Sequence, residues 1–157
     1  MSEENRADIE FRRAKETDLP AIIGLLAEGS LKKGRDDASL PLDPSYAEAF
    51  KAIGQDNNNL LLVGARAKQV VACVQISFIP GLSYRGGWRA QIEGVRVAGA
   101  MRGQGIGRAL LTEALDIARK RGCTLVQLMA HKQRHDAHRF YESLGFARQH
   151  EGFRLEL

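Results

Sequence analysis

The chain is short of everything that would staple, span or chelate. Two of its 157 residues are cysteine, and Cys73 and Cys123 each stand alone inside an apolar run. That pattern argues against a disulfide framework, leaves a metal site without ligands, and predicts reduced thiols in a cytosolic protein. No apolar run approaches the ~20 residues a membrane-spanning helix needs, so no membrane partner is expected. The opening MSEENRADIEF is acidic and polar, unlike the basic-then-apolar start of a secretory leader, and residues 1–8 are expected to be flexible. Low-complexity stretches and internal repeats are missing as well. Charge of one sign does not dominate: the net charge is +4. The Lys/Arg clusters at 32–35, 119–121 and 132–134 are short, with acids between them. A diffuse positive excess favours anionic ligands, whereas a nucleic-acid interface calls for a continuous basic patch. No nucleic-acid partner is expected.

What is present fits a single domain over 1–157 with one sizeable core. IEFRRA (9–14) reads as a first strand. TDLPAIIGLLAE follows with helix-start chemistry, Thr17 or Asp18 as cap and Pro20 in the first turn. Residues 29–44 read as a long irregular loop, the length at which loops in compact domains tend to carry function. PSYAEAFKAIGQD reads as a second helix, and 60–67 with 69–79 as a hairpin. Residues 88–97 are a further strand-like run, 103–121 a helix of about four turns with one apolar half, 124–130 a strand and 135–145 a helix. FARQHEGFRLEL predicts one or two last strands. The order β-α-α-β-β-β-α-β-α-β is mixed α/β, α+β-like, an antiparallel meander feeding a strand–helix–strand crossover.

Within that order Gly103, Gly105 and Gly107, flanked by Arg102 and Arg108, lie where the 88–97 strand hands over to a helix. A helix start exposes backbone N–H groups and the positive end of the dipole, and glycines give an anion access to them. Two arginines add charge-assisted contacts, so a pyrophosphate suits the turn. A P-loop needs Lys then Ser or Thr after the last glycine, where Arg108 and Ala109 stand. The dinucleotide fingerprint needs a third glycine where Arg108 or Leu110 stands. Both templates fail.

Arg102-x-x-Gly105-x-Gly107 opening a helix after Val95-x-Val97 resembles the acetyl-CoA signature of the GNAT superfamily of N-acetyltransferases. YESLGF, Tyr141 to Phe146, is similar to that family's C-terminal helix segment, and the elements between the motifs follow the family's order. The resemblance covers about residues 9–157 and is strongest over 88–147. It implies a GNAT-type fold, with a central mostly antiparallel sheet, a β-α-β crossover and about four flanking helices. It also implies acetyl transfer from acetyl-CoA, a cosubstrate, to a primary amine by direct attack in a ternary complex, without a metal. A non-catalytic acyl-CoA-binding module stays open, because fold alone does not prove chemistry.

Carried over residue by residue, the resemblance gives the CoA pyrophosphate to the main chain of Arg102, Gly103, Gln104, Gly105, Ile106, Gly107 and Arg108. Val95, Arg96 and Val97 would pair with the pantetheine arm like an added strand, beside a splayed neighbouring strand. A backbone N–H near Val97 is the candidate oxyanion donor. Glu93, a carboxylate in an otherwise apolar and small-residue run, is the candidate proton acceptor for the amine; solvation, or pairing with Arg96 or Arg89, is its plain structural alternative. Tyr141 would protonate the leaving thiolate, or else serve as a core tyrosine beside Phe140. Where many relatives carry an asparagine this chain has Arg134, a cation within reach of a CoA phosphate or simply solvated. His131, His135 and His138 lack the acids or thiols of a metal site and read as solvated. The acceptor, a small-molecule amine in the first instance, would lie against the first helices and loop 29–44, with Tyr84, Arg85 and Trp88 edging the cleft or a subunit contact. A homodimer through the edge of the last strands is compatible with the resemblance.

Overall fold

The computed structural model describes residues 8–157, so the flexible leader expected over 1–8 falls, Asp8 aside, outside the described residues. Two compact units are present, one ending at Gln127 and one running over Leu128–Leu157.

In the first unit, β1 (Ile9–Arg13) leads through a 3-10 turn, Glu16–Asp18, into α1 (Leu19–Glu28). The turn is tied by charge. Arg12 donates from both terminal nitrogens to the Asp18 carboxylate at 2.7 and 3.0 Å, and the Lys15 N–H donates to it at 2.7 Å. Pro20 then occupies the first turn of α1, where its missing N–H costs nothing. The second helix, α2 (Pro44–Gln55), is capped by Asp43, whose side chain accepts from the Ser45 N–H. A meander follows: β2 (Asn59–Arg66), β3 (Gln69–Ile79) and β4 (Trp88–Val97). The chain then crosses over through α3 (Ile106–Lys120) to β5 (Cys123–Leu128).

The sheet order is β1-β2-β3-β4-β5, antiparallel from β1 to β4. Two side-chain bonds join β4 to β5. Thr124 Oγ1 donates to the Trp88 carbonyl, and Gln127 Nε2 to Gln91 Oε1, both across 36 residues. A constant offset marks a parallel pair, as a helical crossover requires.

Cross-strand partners share a face, and the two faces differ. Leu62, Val74, Ile76, Phe78, Ala90 and Ile92 are buried on one, the face that meets the apolar half of α3, where Leu110, Leu111 and Ala114 are fully buried. On the other, Val63 and Cys73 pack with Ala14, Ile22 and Leu25 of the α1 side. Farther along, that second face turns polar: Gln75 opposite Glu93, and Ser77 opposite Gln91, with Ser77 donating to Asn59 at 2.7 Å.

In the second unit α4 (His135–Glu142) carries a small aromatic cluster, Tyr141 with Phe140 and Phe146. The last strands predicted from FARQHEGFRLEL do not form: residues 146–157 hold no strand. Their alternation is real, but Phe153, Leu155 and Leu157 are 91%, 82% and 116% exposed, so no neighbouring strand covers the apolar side that would hold the extended form.

Candidate active site

The helix predicted over 103–121 starts later, at Ile106, because the glycines before it take the turn. Gly103 (φ +76°) and Gly105 (φ +77°) are left-handed, and Gly105 is the N-cap of α3. A side chain there would cost roughly 1–2 kcal/mol of backbone strain. A Cβ on Gly103 would meet nothing within 4 Å, so that position of the turn is open. The first intrahelical bond is Ala109 N–H to the Gly105 carbonyl at 3.0 Å. No side chain caps the helix, and no acid stands in its first turn. The positive end of the dipole thus meets no negative group of its own helix, which is what an incoming phosphate needs.

Sequence reasoning missed part of this turn. Arg66, at the end of β2, donates to the Gln104 side chain at 3.2 Å and lies 3.5 Å from the Met101 sulfur. A second arginine, Arg102, donates to the Val97 carbonyl at 3.3 Å, tying the rim of the turn to the end of β4. Glu28, at the end of α1, accepts from the Gly99 N–H at 3.1 Å. A Cβ on Gly99 would stand 2.3 Å from that carboxylate oxygen. Nothing in the local sequence around 28 or 66 announces contacts 38 to 71 residues away.

β4 is bent just before this turn. Cys73 pairs with Arg96 and Gln75 with Glu93, so Gly94 and Val95 together oppose Val74. Gly94 carries φ +62°, and two residues against one is a β-bulge, with glycine supplying the left-handed position. The bulge brings Glu93 and Arg96 to the same face. With the offset of 36, the end of β5 at Leu128 lies level with Ile92. Within the first unit, Glu93 to Val97 run on past the last residue of β5 that the unit contains. A strand edge left without a neighbour can accept an extended ligand as a further strand.

Glu93 is exposed and makes no ion pair with Arg89 or Arg96 among the described residues. Arg96 is half-buried, donates to the Val95 carbonyl at 2.8 Å, and crosses over Gly29 at the end of α1. Cys73, beneath it, is pushed up to about 12 by burial, with the Arg96 charge partly opposing the shift. It is an inert core thiol at neutral pH.

Tyr141 and Arg134 belong to the second unit. Tyr141 is half-buried, its ring 5.3 Å from Phe140 and 5.9 Å from Phe146. Arg134 is the N-cap residue of α4, its carbonyl accepting from the His138 N–H at 3.1 Å. His138 Nε2 and the His131 carbonyl are 3.0 Å apart. Among the described residues no cluster of three or more His, Cys, Asp or Glu could hold a metal ion, and no helix is long and apolar enough to cross a membrane. A hollow of about 370 Å³ lined by Glu16, Ala47, Glu48, Phe50 and Lys51 includes none of the predicted site residues. The candidate site within the first unit is the end of β4 and the glycine turn that follows it.

The model of the acetyltransferase (GNAT) family matches residues 31–146. The chain belongs to the GNAT acetyltransferase family. An aminoalkylphosphonate N-acetyltransferase from Salmonella typhimurium is 31% identical over 141 residues, 90% of this chain and 86% of that protein. Among solved structures, a transcriptional regulator from Bacillus halodurans is 46% identical with a TM-score of 0.92, over 95% of this chain and 99% of that one. A Trypanosoma brucei acetyltransferase is 26% identical with a TM-score of 0.78, over 96% of this chain and 100% of that one. The GNAT fold expected from the motifs is the fold observed: a five-stranded, mostly antiparallel sheet with its crossover helix.

Proposed function

We propose that the protein transfers the acetyl group of acetyl-CoA to the primary amine of a small acceptor, by direct attack in a ternary complex. The observation that carries this reading is the uncapped start of α3, with left-handed Gly103 and Gly105 and no acid in its first turn. GNAT acetyltransferases use acetyl-CoA, and this turn fits its pyrophosphate. The family match runs across residues 127 and 128, which supports reading 1–157 as one acetyltransferase domain. Two free thiols, Cys73 and Cys123, accord with a cytosolic setting.

Each residue then has a task. The main chain of Arg102 to Arg108 holds the pyrophosphate, with Arg108 and Arg134 as cations for the remaining phosphate oxygens. Val95, Arg96 and Val97 hold the pantetheine arm along the edge of β4, and an N–H near Val97 supports charge building on the thioester oxygen. Glu93, directly or through water, takes a proton from the acceptor ammonium. The freed amine attacks the thioester carbon, an N–C bond forms and the C–S bond breaks. Tyr141 gives its phenolic proton to the departing thiolate, and the second proton shed by the attacking nitrogen passes through solvent and restores the phenol.

The Salmonella relative acts, by its name, on aminoalkylphosphonates, which makes short acid-bearing amines the first acceptors to try. A nucleic-acid reading through the basic residues of α3 is less favoured, because two cations at its end are engaged within the chain. Arg119 pairs with Asp116 at 2.6 Å, and Arg121 donates to the Asn57 carbonyl and covers the Phe78 ring at 4.4 Å. The test is a panel of amines offered with acetyl-CoA, following release of free thiol. Turnover with at least one small amine is expected. Tight CoA binding with no thiol released by any amine would point instead to a non-catalytic CoA-binding module.

A further inference from the structure

Two opposite charges stand on one face of β4 without meeting. Glu93 and Arg96 are three residues apart, so their Cα atoms lie within about 10 Å, and the bulge at Gly94 and Val95 brings them to the same side of the sheet. A regular strand would have sent Arg96 to the face that meets α3. Glu93 nevertheless makes no ion pair among the described residues.

The position of Arg96 is built in from two sides. One terminal nitrogen donates to the Val95 carbonyl at 2.8 Å. Its Cδ and Nε pass over Gly29, where a Cβ would lie 2.5 and 2.4 Å from them. The last turn of α1 has no basic residue of its own, so Arg96 also supplies the cation that the negative end of that helix favours. A structural role of this kind explains why the side chain is held. It does not explain why the exposed carboxylate on the same face is left unpaired.

We infer that Glu93 and Arg96 form a two-point site for a zwitterionic acceptor, Glu93 taking the ammonium and Arg96 the acid group. The inference rests on the acetyl-transfer reading and names its substrate class: short amines carrying a compact oxyanion, phosphonate or carboxylate. An arginine fork suits either acid, and a tetrahedral oxyanion fills more of it. Arg96 thus has two separable contributions, its main chain toward the cofactor arm and its side chain toward the acceptor.

The experiment measures kcat/KM for 2-aminoethylphosphonate, β-alanine and n-propylamine with the full-length protein, and the acid-to-neutral preference derived from them. The native protein is expected to prefer one of the acids. Arg96→Gln should lower that preference about 10- to 100-fold, the loss of a charge-assisted contact, and Arg96→Lys should restore part of it. Gly29→Ala keeps the charge but displaces the guanidinium, and should lower the preference in the same direction. A purely structural arginine would lower turnover of acid and neutral amines alike. An unchanged preference in Arg96→Gln and Gly29→Ala overturns the inference while leaving acetyl transfer intact. If the native protein turns over no amine, calorimetric binding of 2-aminoethylphosphonate decides instead. Binding weakened tenfold or more in Arg96→Gln supports the site even though the enzymatic reading has failed, and no binding to the native protein ends it.

Discussion

Gly105 combines a left-handed backbone, φ +77°, with the N-cap of a helix that has no side-chain cap. Gly105→Val places a branched side chain where phosphate oxygens are expected to approach. The fold should persist with a melting temperature a few degrees lower, since the strain is roughly 1–2 kcal/mol. CoA affinity, read by calorimetry, should fall on the order of 100-fold as several backbone contacts to one anion are lost together; unchanged affinity would remove the pyrophosphate from this turn. Glu93→Gln keeps the shape and removes the carboxylate proposed as the base. Its kcat should fall by roughly 100- to 10,000-fold while the KM for acetyl-CoA holds, and steady-state kinetics separate the two. Asp18 serves stability instead. The Arg12 guanidinium, followed by the Lys15 N–H, holds its carboxyl below the usual range against the opposing effect of burial. A lowered carboxyl stabilises the fold above its unfolded value of about 3.9 and loses that contribution as pH falls through the folded value. Asp18→Asn should therefore cost about 1–3 kcal/mol at pH 7, with the gap closing in urea melts taken progressively below pH 4.

Among the elements, α3 ties the turn to the core: Leu110 and Leu111 are fully buried in the same helix whose start frames the proposed cofactor site. Leu111→Ala should cost about 2–5 kcal/mol in denaturant melts, an effect on stability that leaves the chemistry of the turn untouched. The 3.6-residue period of this helix was plain in the sequence, as was the change of pattern at Gly103. The sequence pattern alone starts the helix three residues early, because alternating glycines next to a helical run do not say which of them remain outside it. The bulge in β4 had a visible signal, Gly94 inside a strand-like run, but its consequence, Glu93 and Arg96 on one face, needs the register with β3. Residues 146–157 show the opposite failure. Their alternation satisfies a strand pattern, yet a strand exists through its partner, and local sequence does not name one.

At the scale of the molecule, the family was legible because two motifs stood in the right order around a crossover helix. Long-range ties were not: Arg66 to Gln104 and Glu28 to Gly99 join segments that no local pattern connects. The first ties the end of β2 to the turn expected to hold the cofactor. The second ties α1, on the side where the acceptor is expected, to the segment just before that turn. The central claim is that this one sheet end brings an amine to a thioester. The most direct test is to mix the protein, acetyl-CoA and a short acid-bearing amine, and to follow thiol release together with the mass of the amine. The account predicts one free thiol for each amine that gains an acetyl group, and neither product without the protein. Thiol release with no acetylated amine, or CoA binding with neither product across the whole amine panel, would contradict it.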